Sequence, residues 1–264
     1  MNILEQIVAD KRLEVQQRRS LRSVAELQSL PHYKRDPISI KKSLLKENSS
    51  GVIAEFKRRS PSKGWIFPEA DVITVTETYQ KNHASALSIL TDEKYFGGTS
   101  EDLLKARHLE IPILRKDFII DTYQIDEAKA IGADVVLLIA ACLSVNEVKD
   151  LAVYAKKIGL EILLELHDEE ELGHICEEVD LVGINNRNLK SFEVDIQRSL
   201  QMAKKIPADK LKVAESGIDS PEMMRAFREA GFKGFLIGEY FMRNEHPGLK
   251  LAELIQQVKI LSTT

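Results

Sequence analysis

From residue 52 onward, short apolar runs alternate with longer amphipathic stretches at intervals of about 25 residues. The runs fall at 52–56, 86–90, 113–115, 135–139, 161–165, 181–184, 212–214 and 235–237. They are short and rich in Val, Ile and Leu, as strands buried on both faces are. Between and after them, helical spacing predicts helices near 71–82, 100–108, 121–131, 144–158, 168–178, 195–205, 220–230 and 248–261. Strand–helix alternation of this kind predicts a parallel sheet. Eight such units fit a closed barrel. A doubly wound sheet shares the alternation, but no Gly-x-Gly-x-x-Gly follows the first run, and chemically capable residues recur at the ends of many runs. The fold class is therefore read as α/β, a (β/α)₈ barrel. Gly132-Ala133-Asp134 and Gly231-Phe232-Lys233-Gly234 read as tight helix-to-strand turns.

Ahead of the first run, residues 3–28 read as one helix, with Ile3, Leu4, Ile7, Val8, Leu13 and Val15 as its apolar positions. A short helix is expected at 37–47. The basic residues Lys11, Arg12, Arg18, Arg19 and Arg22 read as a solvated helix face. This gives one domain over 1–264: an N-terminal helical extension at 1–48 and a barrel at 51–264. No linker or low-complexity stretch divides it.

Composition adds limits. The chain has 264 residues, 44% hydrophobic and 30% charged, which suits a large globular core. Its 37 Lys and Arg against 41 Asp and Glu give a net charge of -4, with no electrostatic reason to expect nucleic acid. The two cysteines, Cys142 and Cys176, have no metal-ligand spacing and read as reduced core thiols. The first residues lack a signal-peptide core, and no run approaches a membrane span, so a cytoplasmic protein without a membrane partner is expected.

The chemistry sits at the C-terminal ends of the runs. Glu55 and Lys57 are two apart and share a face on extended backbone, and the basic, hydroxyl-rich loop Arg58-Arg59-Ser60-Pro61-Ser62-Lys63-Gly64 follows. Lys116 ends the third run as a candidate proton donor, its pKa expected to move toward neutrality through burial or a cation such as Lys57. Glu165 is the acidic residue of an otherwise apolar stretch; a plain ion pair with a neighbouring lysine is the other reading. Asn185 and Arg187 share a face after the sixth run. Ser216, Gly217, Gly238 and Glu239 follow the seventh and eighth, where small residues and a short helix starting near Gly238 form the usual barrel phosphate site. Phe96, Phe118 and Leu138 are candidates for an apolar wall beside an aromatic substrate. The histidines are scattered, and His167 reads as a surface residue. Metal-free acid/base chemistry without a cofactor is expected.

Together the stretches IAEFKRRSPSKG (53–64), LTDEKYFGG (90–98), ILRKDFIID (113–121), LLELHDEEEL (163–172), VGINNRNL (182–189), VAESGI (213–218) and FLIGEYFMR (235–243) closely resemble the indole-3-glycerol phosphate synthase family, over roughly residues 3–260. The resemblance implies ring closure of 1-(2-carboxyphenylamino)-1-deoxyribulose 5-phosphate with loss of carbon dioxide and water. It implies that Lys116 is the general acid on the ketone oxygen and that Glu165 handles the later proton transfers. Glu55, Asn185 and Glu215 would hold hydroxyls and the lysine network, Lys57 the anionic groups, and Ser60 and Arg187 the carboxylate side. Ser216, Gly217, Gly238 and Glu239 would bind phosphate largely through backbone N–H groups. Glu239 departs from the small hydroxyl residue of some relatives, so its carboxylate is expected to point away. The resemblance assigns no role to Trp65. The chain ends soon after the last helix, which is expected to exclude a fused isomerase, and a monomer or weak homo-oligomer is expected. Another phosphate-binding barrel enzyme, or a barrel serving only as a scaffold, is the competing expectation.

Overall fold

The apolar runs form eight parallel strands closed into a barrel: β1 (Val52–Phe56), β2 (Ala86–Leu90), β3 (Ile113–Lys116), β4 (Val135–Ile139), β5 (Glu161–Leu166), β6 (Leu181–Asn185), β7 (Leu211–Glu215) and β8 (Phe232–Ile237). They are seen in a computed structural model, which describes residues 3–187 and 194–263. Asn188 and Leu189, the end of the VGINNRNL stretch, lie outside the described residues. The strands pair in sequence order and β8 returns to β1. Several strands run one residue further than expected, so Lys116, Leu166, Asn185 and Glu215 are their last residues.

Strand parity divides the core in two. Ile53, Leu114, Val135, Leu137, Leu163, Leu181, Val213 and Leu236 fill the barrel interior. Val52, Ala54, Phe56, Val136, Leu138, Ile162 and Leu164 face the helix layer. Six of the helices around the barrel start at a polar cap, as Asp71, Thr99, Asp121, Ser144, Asp195 and Ser220 accept an N–H from the first turn. The turns at Gly132 and Gly231 are confirmed, each with φ near +90° (92° and 87°), which glycine adopts without steric cost.

Two expected helices differ. Residues 3–28 break into α1 (Ile3–Leu21) and α2 (Val24–Ser29), because Ser23 and Glu26 form a reciprocal capping box. The stretch expected as a helix at 168–178 is a 3₁₀ segment, Glu169–His174, containing Gly173 and offering only Leu172, Ile175 and Cys176 to the core.

The N-terminal residues run along the whole barrel. At its lower end, α3 (Ile40–Leu45) caps the floor, with Ile40 and Leu44 joining the interior cluster. The buried Asp134 carboxylate, at the foot of β4, accepts from the Ile38 N–H at 2.7 Å and pairs with Arg107 at 2.6 Å and with Arg35. Glu161 at the foot of β5 accepts from the Ile40 N–H at 2.6 Å. On the flank, Tyr33 donates to Asp126 at 2.6 Å. At the upper end α1 lies against the barrel mouth. No helix among the described residues is long and apolar enough to cross a membrane.

Candidate active site

The interior positions at the C-terminal ends of the strands change from aliphatic to ionisable, as the parallel register lines up their last inward residues. In it, Glu55 lies opposite Ser88, Glu165 opposite Gly183, and Asn185 opposite Glu215. They open into a cavity of about 950 Å³.

At its centre the Lys116 ammonium lies 2.7 Å from Glu165 Oε2 and 3.6 Å from Glu215 Oε2. Asn185 Nδ2 donates to Glu165 Oε1 at 2.9 Å. Lys57 pairs with Glu55 Oε1 at 2.6 Å. The expectation that Lys116 would shift toward neutrality is corrected. Burial is the largest single influence and pushes its pKa down, but Glu165, Glu215 and Glu55 together outweigh it and the net shift is upward. Lys116 is therefore an ammonium, an acid ready to donate. Burial also pushes Glu165 up, yet Lys116 and His167 hold it well below the usual carboxylate range. Glu215 goes the other way: burial, then the negative charge of Glu165, pushes it up to about 8 against the pull of Lys116. Near neutral pH the cluster holds one ionised and one protonated carboxyl around one ammonium.

Since the folded state binds the Glu215 proton more tightly than the unfolded chain does, this contribution to stability is full below the ordinary glutamate pKa. It is lost as pH rises through about 8. The Tm of the wild-type protein is expected to fall more steeply than that of Glu215→Gln between roughly pH 6 and 9. Parallel slopes would show that Glu215 is not the cause.

Two glycines make room for this cluster. A Cβ on Gly183 would lie 2.0 Å from Glu215 Oε1, and one on Gly238 would lie 2.3 Å from Glu55 Oε1. Gly183 was not singled out in the sequence; its signal is its place two residues before Asn185 on the same inward face.

The rim divides into a polar and an apolar side. Ser60, Arg187, Ser216, Gly217, Gly238 and Glu239 line one part. Ser216 and Gly217 both take positive φ, at 67° and 68°, so a non-glycine residue is held in a strained conformation at the rim. The expected short helix is present as Glu239–Met242, capped by Gly238. The Glu239 side chain turns to Arg187, its Oε2 3.5 Å from Arg187 Nη2, so the carboxylate is paired with an arginine at the mouth. Arg187 also donates to Ser62 Oγ at 3.1 Å.

On the apolar side, the Phe96 and Phe118 rings lie 6.0 Å apart and line the cavity. Leu138 does not: it faces the helix layer, and its neighbour Leu137 points inward and lines the site with Ile139. Ile3, Leu4 and Ile7 of α1 complete this side.

His167 is also corrected. It is buried, with Nε2 3.1 Å from Glu165 Oε1 and Nδ1 3.8 Å from Glu171 Oε2. It lies two residues beyond Glu165, the spacing that puts both on one face. Arg198, equally unforeseen, donates to the Asn185 carbonyl at 3.1 Å and lines the cavity. Cys142 packs beside the mouth, its thiol pushed up to about 12 first by burial and then by Glu165. Among the described residues, no group of three or more His, Cys, Asp or Glu is arranged to hold a metal ion.

Comparison with known proteins gives a consistent result. The sequence profile described as indole-3-glycerol phosphate synthase matches residues 4–254. The indole-3-glycerol phosphate synthase of Bacteroides thetaiotaomicron is 48% identical over 259 residues, covering 98% of this chain and 99% of its own. That of Salinibacter ruber is 43% identical over 258 residues, covering 96% and 95%. Among solved structures, 3-hexulose-6-phosphate synthase from Salmonella typhimurium matches with a TM-score of 0.63 at 11% identity, over 80% of this chain and 99% of that one. The tryptophan synthase alpha subunit from Legionella pneumophila matches at 0.60 and 16%, over 84% and 98%. At such identities the structural likeness is one of fold.

Proposed function

The chain belongs to the indole-3-glycerol phosphate synthase family, and from that membership we infer that its barrel mouth closes the indole ring of 1-(2-carboxyphenylamino)-1-deoxyribulose 5-phosphate, releasing carbon dioxide and water, in tryptophan biosynthesis. The observation that carries the reading is the Lys116–Glu165 pair at 2.7 Å, set between an apolar wall and a polar rim.

In this reading the ring carbon bearing the carboxylate bonds to the ketone carbon as Lys116 gives its proton to the ketone oxygen. Carbon dioxide then leaves, and the new hydroxyl, taking a second proton drawn from solvent, departs as water while a proton is lost from the newly closed ring. Glu165 takes that proton and, being in contact with Lys116, can return it to the amine. Glu215, protonated near neutral pH, and Asn185 hold hydroxyls and keep Glu165 in place. Glu55 holds Lys57 toward the substrate's anionic groups. Ser60 and Arg187 receive the carboxylate. Ser216, Gly217, Gly238 and Glu239 receive the phosphate through backbone N–H groups, the Gly238 helix start being suited to an anion. Phe96, Phe118 and, in place of Leu138, Leu137 flank the aromatic ring.

The reading also takes residues 1–48 as an extension of one barrel domain at 51–264 and the protein as a monomer or weak homo-oligomer. It gives the protein a cytoplasmic location and no nucleic-acid partner. The net charge of -4 favours the last point.

The test is to mix purified protein with the substrate and follow indole fluorescence. A rise supports the reading, and a folded protein that gives none would sink the chemistry. One variant probes the packing beneath it. Gly238→Ala drives a methyl into Glu55 and is expected to lower kcat/KM by about 10²-fold through displacement of Glu55 and Lys57. Steady-state kinetics within threefold of wild type would show that the site absorbs the methyl.

A further inference from the structure

We infer that Lys11, on the N-terminal helix, is a positioning residue that sets both phenyl rings of the apolar wall; the inference rests on the reading of that wall as the aromatic side of the site. Lys11 is only 1% exposed. Its ammonium lies 2.7 Å from Glu14, 2.9 Å from Asp92 and 3.0 Å from Asp117.

Each of the two aspartates holds one ring. Asp92 Oδ2 meets Lys11, while its Oδ1 caps the short helix Glu93–Phe96 by accepting the Tyr95 N–H at 2.8 Å, and that helix ends in Phe96. Asp117 Oδ1 meets Lys11 and accepts the Phe118 N–H at 2.8 Å. Its Oδ2 is taken by Thr91 Oγ1 at 2.7 Å and Arg115 at 2.9 Å, which fixes the carboxylate plane. One cation thus ties the backbone at Phe118 to the cap that orients Phe96. The same helix holds that cap a second time, through Asp10, which pairs with Lys94 at 2.6 Å and accepts from the Tyr95 hydroxyl. Its Ile3, Leu4 and Ile7 line the cavity beside the rings.

A lysine in such a place does more than fasten a helix. If it only fastened the helix, its loss would act through Ile3, Leu4 and Ile7 alone, and Asp92→Asn, which leaves Lys11 paired to Glu14 and Asp117, would not change KM. Acting through the rings, its loss weakens recognition of the aromatic half and spares the anion half and the acid/base pair. Lys11→Met is expected to raise KM for the carboxyphenylamino substrate about tenfold, with kcat within threefold of wild type. The inhibition constant of inorganic phosphate, which lacks a ring, should be unchanged, and Lys11→Arg should recover most of the KM. Because Lys11→Met leaves the buried Asp92 carboxylate without its ion-pair partner, Asp92→Asn serves as a second variant: asparagine keeps the cap but gives up the ion pair, and KM should rise severalfold. An unchanged KM in a folded Lys11→Met or Asp92→Asn variant would overturn the inference. So would a phosphate constant that rises in step with KM. Wild-type turnover tests the reaction itself, so a failure of the reaction and a failure of the Lys11 inference give different results.

Discussion

Replacing Lys116 with alanine is expected to lower kcat by about a thousandfold or more while the protein stays folded. The size follows from the loss of the proposed acid, since among the described residues no other ammonium contacts Glu165. Among the described residues, Lys57, which also lines the mouth, is held on Glu55. The fold should persist because the two carboxyls left behind need not both ionise: Glu215 is already the protonated member, and without the ammonium Glu165 takes up a proton more readily. The measurement is indole fluorescence at saturating substrate, with circular dichroism and Tm on the same sample. Activity within tenfold of wild type would remove Lys116 from the acid role.

Glu165→Gln is expected to lower kcat by about 10²- to 10³-fold with KM changed less than threefold. Glutamine fills the same space but neither accepts nor releases a proton at these pH values. It also removes the negative charge that pushes Glu215 up, so Glu215 should ionise more easily and take over as counter-ion to Lys116 from its place 3.6 Å away. The cluster would keep a balanced charge, and the defect would fall on proton transfer alone. A large rise in KM with kcat preserved would instead make Glu165 a binding group.

The barrel and most of the candidate site were legible because polar residues mark the inward face. In β1, Glu55 between the outward Ala54 and Phe56 fixes the parity, and Lys57 follows from it. The misplaced Leu138 shows the limit. β4 reads Val-Val-Leu-Leu-Ile and is buried on both faces, so nothing in the strand itself distinguishes inward from outward. His167 had a usable signal in its parity with Glu165, set aside because lone histidines are so often exposed. Lys11 had one too: it stands four residues from both Ile7 and Val15, on the stripe that the helix buries. Its sequence neighbours suggested a solvated face, since Glu14 alone among its partners is local and the two buried carboxylates, Asp92 and Asp117, are about 80 and 106 residues away. Pairings at that separation leave no trace in local pattern.

The fastening of residues 35–41 to the barrel floor bears on how the chain is made. These residues leave the ribosome well before their partners: Asp134 is 96 residues beyond Ile38, and Glu161 is 122 beyond Ser39. The floor piece cannot dock until β4 and β5 exist, so a segment made before the barrel strands finds its place only after them, and the nascent barrel waits with its base open.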